Sequence, residues 1–130
     1  MFVLDTNSLI YFFKGIGNVA ARLLETPPKD VRIPSIVLYE LEVGIAKSTS
    51  PAKRSEQLET LISVTSVLPF GLQEAKSAAQ IRVELENRGQ SIGPYDILIA
   101  ATALANQATL VTHNTKEFGR IKQLQIEDWY

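Results

Sequence analysis

The stretch PYDILIAATALANQATLVTHN, residues 94–114, combines a helix and a strand in one short run of sequence. Pro94 suits the first turn of a helix, and small and apolar residues continue without a break to Asn106. Thr109–Thr112 is apolar and β-branched, which makes it the clearest strand in the chain. A helix followed by a short loop and a strand is the repeating unit of an α/β fold.

The same alternation extends through the rest of the chain. Four further short apolar segments are predicted as strands: residues 2–4, 31–34, 67–68 and 125–126. The intervening segments are predicted as helices: one that Asp5 or Thr6 caps and that runs through residues 9–13, then residues 19–25, 35–47, 51–62, 73–88, 94–106 and a short turn at 115–118. The strands are too far apart for hairpins, so we expect a mostly parallel five-stranded central sheet with helices on both faces.

Composition limits the class of protein. The 130 residues amount to one domain, 45% of them are hydrophobic and 21% are charged, which is typical of a globular fold. The absence of cysteine excludes disulfides, thiol catalysis and Cys-ligated zinc. The net charge of −1 gives no basic surplus, so a nucleic-acid partner would have to bind local patches. No signal-peptide or membrane-spanning segment is visible, so we expect a soluble, cytoplasmic protein.

Isolated carboxylates in apolar surroundings are the main functional signal. Asp5 is the only charged residue among the first thirteen, and Asp96 is the only one between Arg88 and Lys116. Glu40 lies on a helical row without a partner charge. Burying a lone carboxylate is costly unless a cation pairs with it. Each acid also has an ordinary explanation, since Asp5 suits an N-cap, Asp96 a helical first turn and Glu40 a solvated helix face.

Topology predicts that these acids converge. Ligands of a parallel sheet bind beyond the carboxyl ends of its strands, and Asp5 directly follows the first strand. Glu40 lies in the helix after the second strand, and Asn114 follows Thr109–Thr112. Oxygen ligands without cysteine select Mg²⁺ or Mn²⁺ over zinc. We interpret His113, the only histidine, as a polar loop residue, and the glycines form no nucleotide-binding motif.

Four motifs then resemble a known family: FVLDTN at 2–7, SIVLYEL at 35–41, IGPYDILIA at 92–100 and LVTHNTKEF at 110–118. Together they resemble the PIN-domain family and, within it, the VapC toxins of bacterial VapBC toxin–antitoxin modules. The resemblance implies one PIN domain over residues 1–130, with a PIN-like three-layer α/β/α fold. It implies a type II toxin that is an Mg²⁺- or Mn²⁺-dependent endoribonuclease. The motif at 110–118 resembles a branch whose members cleave initiator tRNA in the anticodon stem-loop.

The resemblance also assigns roles to residues. Asp5 and Asp96 match the principal metal ligands and Glu40 the third acid, so these three form the implied catalytic set. Many members have a fourth acid where this chain has Asn114, and Glu117 is the nearest carboxylate. The fourth position therefore stays open between Asn114 and Glu117. Supporting polar residues around the acids are implied at Thr6, Asn7, Ser35 and Thr112.

Partners follow from the same resemblance: a cognate VapB-type antitoxin, an RNA substrate and a second toxin subunit, in a homodimer or larger assembly without a membrane. The candidates for RNA contact are basic residues, namely Lys14, Lys47, Lys53, Arg54, Arg88, Lys116 and Arg120. The candidates for protein docking are helical apolar residues, namely Tyr11, Phe12, Phe13, Leu58, Leu61 and Ile62. Ordinary surface and ordinary core packing are the respective alternatives.

Two other classes of protein remain as alternatives. A signalling receiver would need a phospho-acceptor aspartate after a central strand, but no aspartate occurs between Asp30 and Asp96. A catalytically silent PIN-like module would bind RNA or protein without turnover because Asn114 replaces an acid. The three remaining acids argue against that second alternative.

Overall fold

The computed structural model describes residues 1–130 and contains one sheet of five strands. The strands are β1 (Phe2–Leu4), β2 (Val31–Pro34), β3 (Ser66–Leu68), β4 (Thr109–Val111) and β5 (Ile126–Glu127). Their order across the sheet is β3-β2-β1-β4-β5, and every neighbouring pair is parallel. The predicted parallel five-stranded sheet is confirmed.

Seven α-helices flank the sheet in a three-layer α/β/α arrangement. They are α1 (Thr6–Lys14), α2 (Val19–Glu25), α3 (Ser35–Ala46), α4 (Pro51–Val64), α5 (Leu72–Asn87), α6 (Pro94–Ala105) and α7 (Thr115–Phe118), and a 3₁₀ turn at Pro28–Asp30 precedes β2. None of these helices has both the length and the apolar composition needed to cross a membrane.

The central strands form the core because helices cover both of their faces. In β1, Val3 and Leu4 are fully buried, and they pair in register with Leu110 and Val111 of β4. On the other side of β1, Val3 pairs with Arg32 of β2. Continuous apolar runs are characteristic of parallel strands with both faces covered. β1 is therefore the buried centre of the sheet, and Asp5 follows it directly.

Local capping chemistry sets the ends of α1. The Asp5 side chain accepts a hydrogen bond from the backbone N–H of Ser8, so the predicted N-cap at Asp5 is confirmed. Gly15 ends the helix with φ +68°, a left-handed conformation that glycine adopts without a Cβ penalty. The helix begins at Thr6, directly after this cap, which agrees with the predicted helix that Asp5 or Thr6 caps and that runs through residues 9–13.

Of two further predicted caps, the position of Asn18 is confirmed and the position of Ser35 is wrong. The sequence pattern predicts Ser35 as the cap of α3, but the structure places Pro34 at the cap and Ser35 as the first helical residue. Asn18 occupies the N-cap of α2 without a side-chain cap bond, and its amide nitrogen donates to the Tyr130 carbonyl at 3.0 Å. A tertiary contact over 112 residues thus replaces the local one.

Candidate active site

Asp5 lies at the carboxyl end of β1 and is only 6% exposed. Its backbone N–H continues the sheet by donating to the Val111 carbonyl at 3.1 Å. One carboxylate oxygen accepts from the Ser8 backbone N–H at 2.9 Å, and the other accepts from the Thr112 hydroxyl at 2.7 Å. These two hydrogen bonds hold the buried carboxylate in one orientation.

Ser8 and Thr112 link that carboxylate to the backbone of β4. The Ser8 hydroxyl donates to the Val111 carbonyl at 3.2 Å, and the Thr112 hydroxyl accepts from the Asn114 backbone N–H at 3.0 Å. The sequence motifs do not single out Ser8, because its hydroxyl contact with Val111 joins residues 103 positions apart.

Glu40 enters the same region from α3. The Thr6 hydroxyl donates to Glu40 Oε1 at 2.6 Å, which connects the first turn of α1 to the middle of α3. Glu40 is half-buried, whereas Glu42 on the next face of the helix is exposed. The contact shows that Glu40 points towards the end of β1.

Asp96 occupies the first turn of α6, whose N-cap is Gly93. A Cβ at Gly93 would lie 3.4 Å from Asp96 Oδ2, an ordinary van der Waals distance, so the Asp96 carboxylate lies directly beside the backbone of its helix N-cap. Burial raises the pKa of Asp96 to about 6, and the charges of Asp5, Glu117 and Glu40 add to the shift in that order. The carboxylates of Asp5, Glu117 and Glu40, from three other segments of the chain, are therefore near enough to Asp96 for their charges to raise its pKa.

Asn114 and Glu117, the two candidates for the fourth position, are hydrogen-bonded to each other. The Asn114 side-chain amide donates to Glu117 Oε2 at 2.9 Å, across the single turn of α7. Glu117 raises the pKa of Asp96 more than Glu40 does. The amide therefore orients a carboxylate that acts on Asp96.

The four predicted supporting polar residues differ in whether they contact the acids. Thr6 and Thr112 contact the acids, as described above. Asn7 is exposed in the first turn of α1, and Ser35 is half-buried at the start of α3. Neither of these two side chains contacts an acid through a hydrogen bond.

The acids have no cationic partner within the protein. The salt bridges of the structure join Arg22 to Glu127, Arg82 to Glu86 and Arg88 to Glu84, and His113 Nδ1 lies 3.0 Å from Asp128 Oδ2. The His113 ring also stacks on the Tyr130 ring, with 4.1 Å between the ring centres, so His113 packs against the C-terminal segment. The interpretation of His113 as a polar loop residue fits this position.

The donor chemistry suits a hard divalent cation. The side chains at this edge of the sheet offer carboxylate, hydroxyl and amide oxygens, and no sulfur. As the side chains lie, no three Asp, Glu or His groups are arranged to hold one ion. Mg²⁺ needs only one or two protein carboxylates because it retains several waters. The residues therefore fit Mg²⁺ or Mn²⁺.

Two exposed tyrosines flank the acids, and the sequence motifs alone do not single them out. Tyr39 precedes Glu40, Tyr95 precedes Asp96, and their rings lie 5.8 Å apart. The Tyr39 hydroxyl raises the pKa of Tyr95, and the charge of Glu40 raises it further. The pair therefore lies at the rim of the acidic site.

The residues predicted to contact RNA lie in separate regions of the structure. Arg88, Lys116 and Arg120 line one polar pocket. Lys14 and Arg54 line a cavity of about 210 Å³ together with Glu40. Lys53 lines an apolar groove, and Lys47 is exposed at the end of α3.

Comparison with known proteins agrees with this geometry. Residues 2–124 match the profile of the PIN domain. Ribonuclease VapC2 of Rickettsia felis is 37% identical, with 99% of this chain and 98% of the relative covered. The tRNA(fMet)-specific endonuclease VapC of Salmonella typhimurium is 38% identical, with 98% and 97% covered.

Solved structures of similar fold also agree with this assignment. VapBC2 of Rickettsia felis, bound to a promoter DNA fragment, superposes with a TM-score of 0.92 at 35% identity, covering 99% of this chain and 98% of that chain. DNA-bound VapBC of Salmonella typhimurium gives 0.92 at 38% identity with the same coverage. The chain therefore belongs to the PIN-domain family, in its VapC branch.

Proposed function

We propose that this protein is the toxin of a type II toxin–antitoxin module and acts as a divalent-cation-dependent endoribonuclease. One observation carries the proposal. Asp5, Glu40 and Glu117, from three other segments of the chain, all raise the pKa of the Asp96 carboxyl, and none of the four acids has a salt-bridge partner in the protein. The curated relatives bear the names ribonuclease VapC and tRNA(fMet)-specific endonuclease VapC, which supports the same activity.

The proposal gives each acid a role. Asp5 and Asp96 hold a Mg²⁺ or Mn²⁺ ion, and Glu40 and Glu117 supply further negative charge around it. Thr112 and Ser8 fix the Asp5 carboxylate, and Thr6 does the same for Glu40. Asn114 is a positioning residue, because its amide holds Glu117.

When bound, such an ion polarises a phosphoryl oxygen and provides a hydroxide nucleophile near neutral pH. The chain itself contributes the orientation of the site. The hydrogen bonds to Asp5 come from two buried residues, Ser8 in α1 and Thr112 directly after β4, so that carboxylate needs little reorganisation. Asp96 has a pKa of about 6 without a cation, so a bound cation would favour its charged form.

The substrate that we propose is RNA, and specifically initiator tRNA cleaved in its anticodon stem-loop. The VapC relatives of Salmonella typhimurium and Shigella flexneri are named tRNA(fMet)-specific endonucleases, and the chain is 38% and 34% identical to them. The exposed Tyr39–Tyr95 pair provides aromatic surface beside the acids, where unpaired bases stack readily.

A VapB-type antitoxin is the proposed protein partner. Helices α1, α2 and α4 enclose a groove of about 520 Å³ whose lining includes Phe12, Phe13, Leu24 and Leu61. Leu24 is 81% exposed, which leaves a large apolar side chain available for a partner. The similar solved structures are VapBC complexes. Of the other predicted docking residues, Leu58 belongs to the buried core and Tyr11 packs on Tyr130.

Paired amide substitutions test the activity. Asp5→Asn and Asp96→Asn should each abolish growth inhibition on expression and divalent-dependent cleavage of initiator tRNA by the purified protein. Asp30→Asn is the matched control, because Asp30 immediately precedes β2 and thus lies at the opposite end of the strands. The control should cleave like the unmodified protein.

Mass spectrometry of the RNA ends separates the enzyme from a silent binding module. New ends should appear with Mg²⁺ or Mn²⁺ and disappear with excess EDTA. Cleavage that persists in EDTA would refute the cation-dependent mechanism. RNA binding without any new ends in either metal would refute the enzyme and leave the binding module.

A further inference from the structure

A cationic pocket lies beside the acidic site. The loop after α5 and the end of α7 form an open cavity of about 590 Å³ that no hydrophobic residue lines. Its lining residues are Arg88, Gln90, Lys116, Gly119, Arg120 and Lys122. Four of these six are basic and none is acidic, in a chain whose net charge is −1. We call this cavity the cationic pocket.

The two guanidinium groups of the cationic pocket are fixed by the fold. Arg88 donates through Nη2 to the Arg120 carbonyl at 2.7 Å and through Nη1 to Gln90 Oε1 at 2.9 Å. Arg120 donates through Nη1 to the Ser91 carbonyl at 3.0 Å. Binding an anion there costs little additional side-chain entropy, because these side chains are already ordered.

The positive charge of the cationic pocket is poorly neutralised. Its single ion pair joins Arg88 to Glu84 at 3.9 Å, near the limit of such a contact. Arg88 Nε is buried without any hydrogen-bond partner. Lys116, Arg120 and Lys122 take part in no salt bridge. Concentrated like charge of this kind raises the local concentration of anions.

Two short connections join the cationic pocket to the acidic site. Lys116 is adjacent to Glu117, and the Arg120 backbone N–H donates to the Glu117 carbonyl at 3.1 Å. Ser91, which Arg120 holds, lies five residues before Asp96, so the two are at most about 18 Å apart along the chain. A nucleic acid with one phosphodiester at the acids therefore has neighbouring phosphates within reach of the cationic pocket.

We propose that the cationic pocket binds the backbone phosphates of RNA flanking the bond to be cleaved. This inference rests on the proposed ribonuclease function. An RNA backbone fits better than a lipid or an aromatic ligand, because the lining is polar and holds several separated cations. Contacts of this type set the position and register of a nucleic acid without reading its sequence.

The test uses the two lysines, because the arginines also hold the loop. Lys116→Gln/Lys122→Gln is made in the Asp96→Asn background to prevent cleavage. Binding of a fluorescein-labelled RNA stem-loop is followed by anisotropy over a salt series. The slope of log Kobs against log[salt] should become shallower by about 1.4 to 1.8, which corresponds to two lost phosphate contacts. Lys116→Arg/Lys122→Arg should retain the original slope.

The matched control removes two other exposed lysines. Lys29 lies in the 3₁₀ turn before β2, and Lys76 lies twelve residues before Arg88, about 18 Å along α5. Lys29→Gln/Lys76→Gln changes the net charge equally and should leave the slope unchanged. With Asp96 intact, the Lys116/Lys122 glutamine variant should raise KM for RNA cleavage at unchanged kcat.

The outcomes distinguish this inference from the proposed function. If the unmodified protein cleaves RNA but the two glutamine pairs give the same salt slope, the cationic pocket is not a phosphate site. If antitoxin binding weakens while RNA binding does not, the pocket serves an acidic protein segment and the inference is also overturned. If no RNA is cleaved at all, the proposed function fails, and the anisotropy series still decides the pocket's role.

Discussion

The two aspartates of the candidate site differ in the surroundings of their carboxylates. Asp5 accepts hydrogen bonds from Ser8 and Thr112, whereas Asp96 has a pKa raised by burial and by neighbouring negative charge. Hydrogen bonds stabilise a charged carboxylate, and burial and like charge destabilise it. Asp96 is therefore the acid whose ionisation costs the cation-free protein stability.

Removing that charge should stabilise the cation-free protein at neutral pH. The folded-state pKa of about 6 lies above the ordinary value of 3.8, so the folded state binds more protons between these values. The free energy of unfolding should then fall as pH rises through this window, with the full loss above about pH 6. In EDTA at pH 8, Asp96→Asn should have a higher Tm than the unmodified protein.

The same thermal experiment includes a cation arm and a control. Mg²⁺ should raise the Tm of the unmodified protein at pH 8 and leave that of Asp96→Asn nearly unchanged. Asp30→Asn should follow the unmodified protein in both arms. A lower Tm for Asp96→Asn in EDTA at pH 8 would contradict the electrostatic explanation.

The hydroxyl of Thr112, and not the shape of its side chain, should be what stability and cleavage activity require. It is completely buried and donates to Asp5 at 2.7 Å, so Thr112→Val leaves a charged acceptor short of one hydrogen bond. The expected cost is about 1.5 to 3 kcal/mol in the free energy of unfolding, measured by urea denaturation. Thr112→Ser retains the donor and should lose less stability and less cleavage activity than Thr112→Val.

Elements were more predictable from the sequence than contacts between them. Apolar segments and caps such as Asp5 are local signals, so the strands and the longer helices could be predicted closely. The bond from Thr6 to Glu40 joins residues 34 positions apart, and it depends on how α1 packs on α3. Likewise, only the turn of α7 shows that Asn114 holds Glu117. Local patterns contain no information about such packing.

Two glycines in helical surroundings should respond oppositely to alanine. A Cβ at Gly44 in α3 would project into open space, so Gly44→Ala should stabilise the protein by about 0.5 to 1 kcal/mol. A Cβ at Gly119 would lie 2.6 Å from the Thr115 carbonyl oxygen, so Gly119→Ala must displace the end of α7. The expected cost is about 1 to 3 kcal/mol by urea denaturation.

The effect on activity separates the two glycine variants further. Displacing α7 moves Glu117, so Gly119→Ala should also weaken cleavage at temperatures where the variant is fully folded. Gly44→Ala should cleave normally. Equal stability and equal activity for the two variants would show that α7 tolerates the added methyl group.

At the scale of the whole molecule, opposite ends of the chain meet on the sheet. Trp129 is 2% exposed, its ring centre lies 5.2 Å from that of Phe2, and the Arg22 guanidinium lies 5.3 Å above the indole. The indole N–H donates to Glu127 Oε1, which also accepts from Arg22 at 2.7 Å. The C-terminal segment is thus packed against β1, the strand that ends at Leu4, directly before Asp5.

The fluorescence of Trp129 should therefore follow global unfolding, and the packing of its side chain should stabilise the fold. Trp129→Ala removes a large buried ring and should cost about 3 to 5 kcal/mol in the free energy of unfolding, while Trp129→Phe should cost less. In the unmodified protein, this single tryptophan should lose its buried fluorescence in the same urea transition as the far-UV circular dichroism. A fluorescence transition at lower urea would mean that the C-terminal segment detaches first. In that case Trp129→Ala would leave the main transition nearly unchanged, because β1 would unfold without its help.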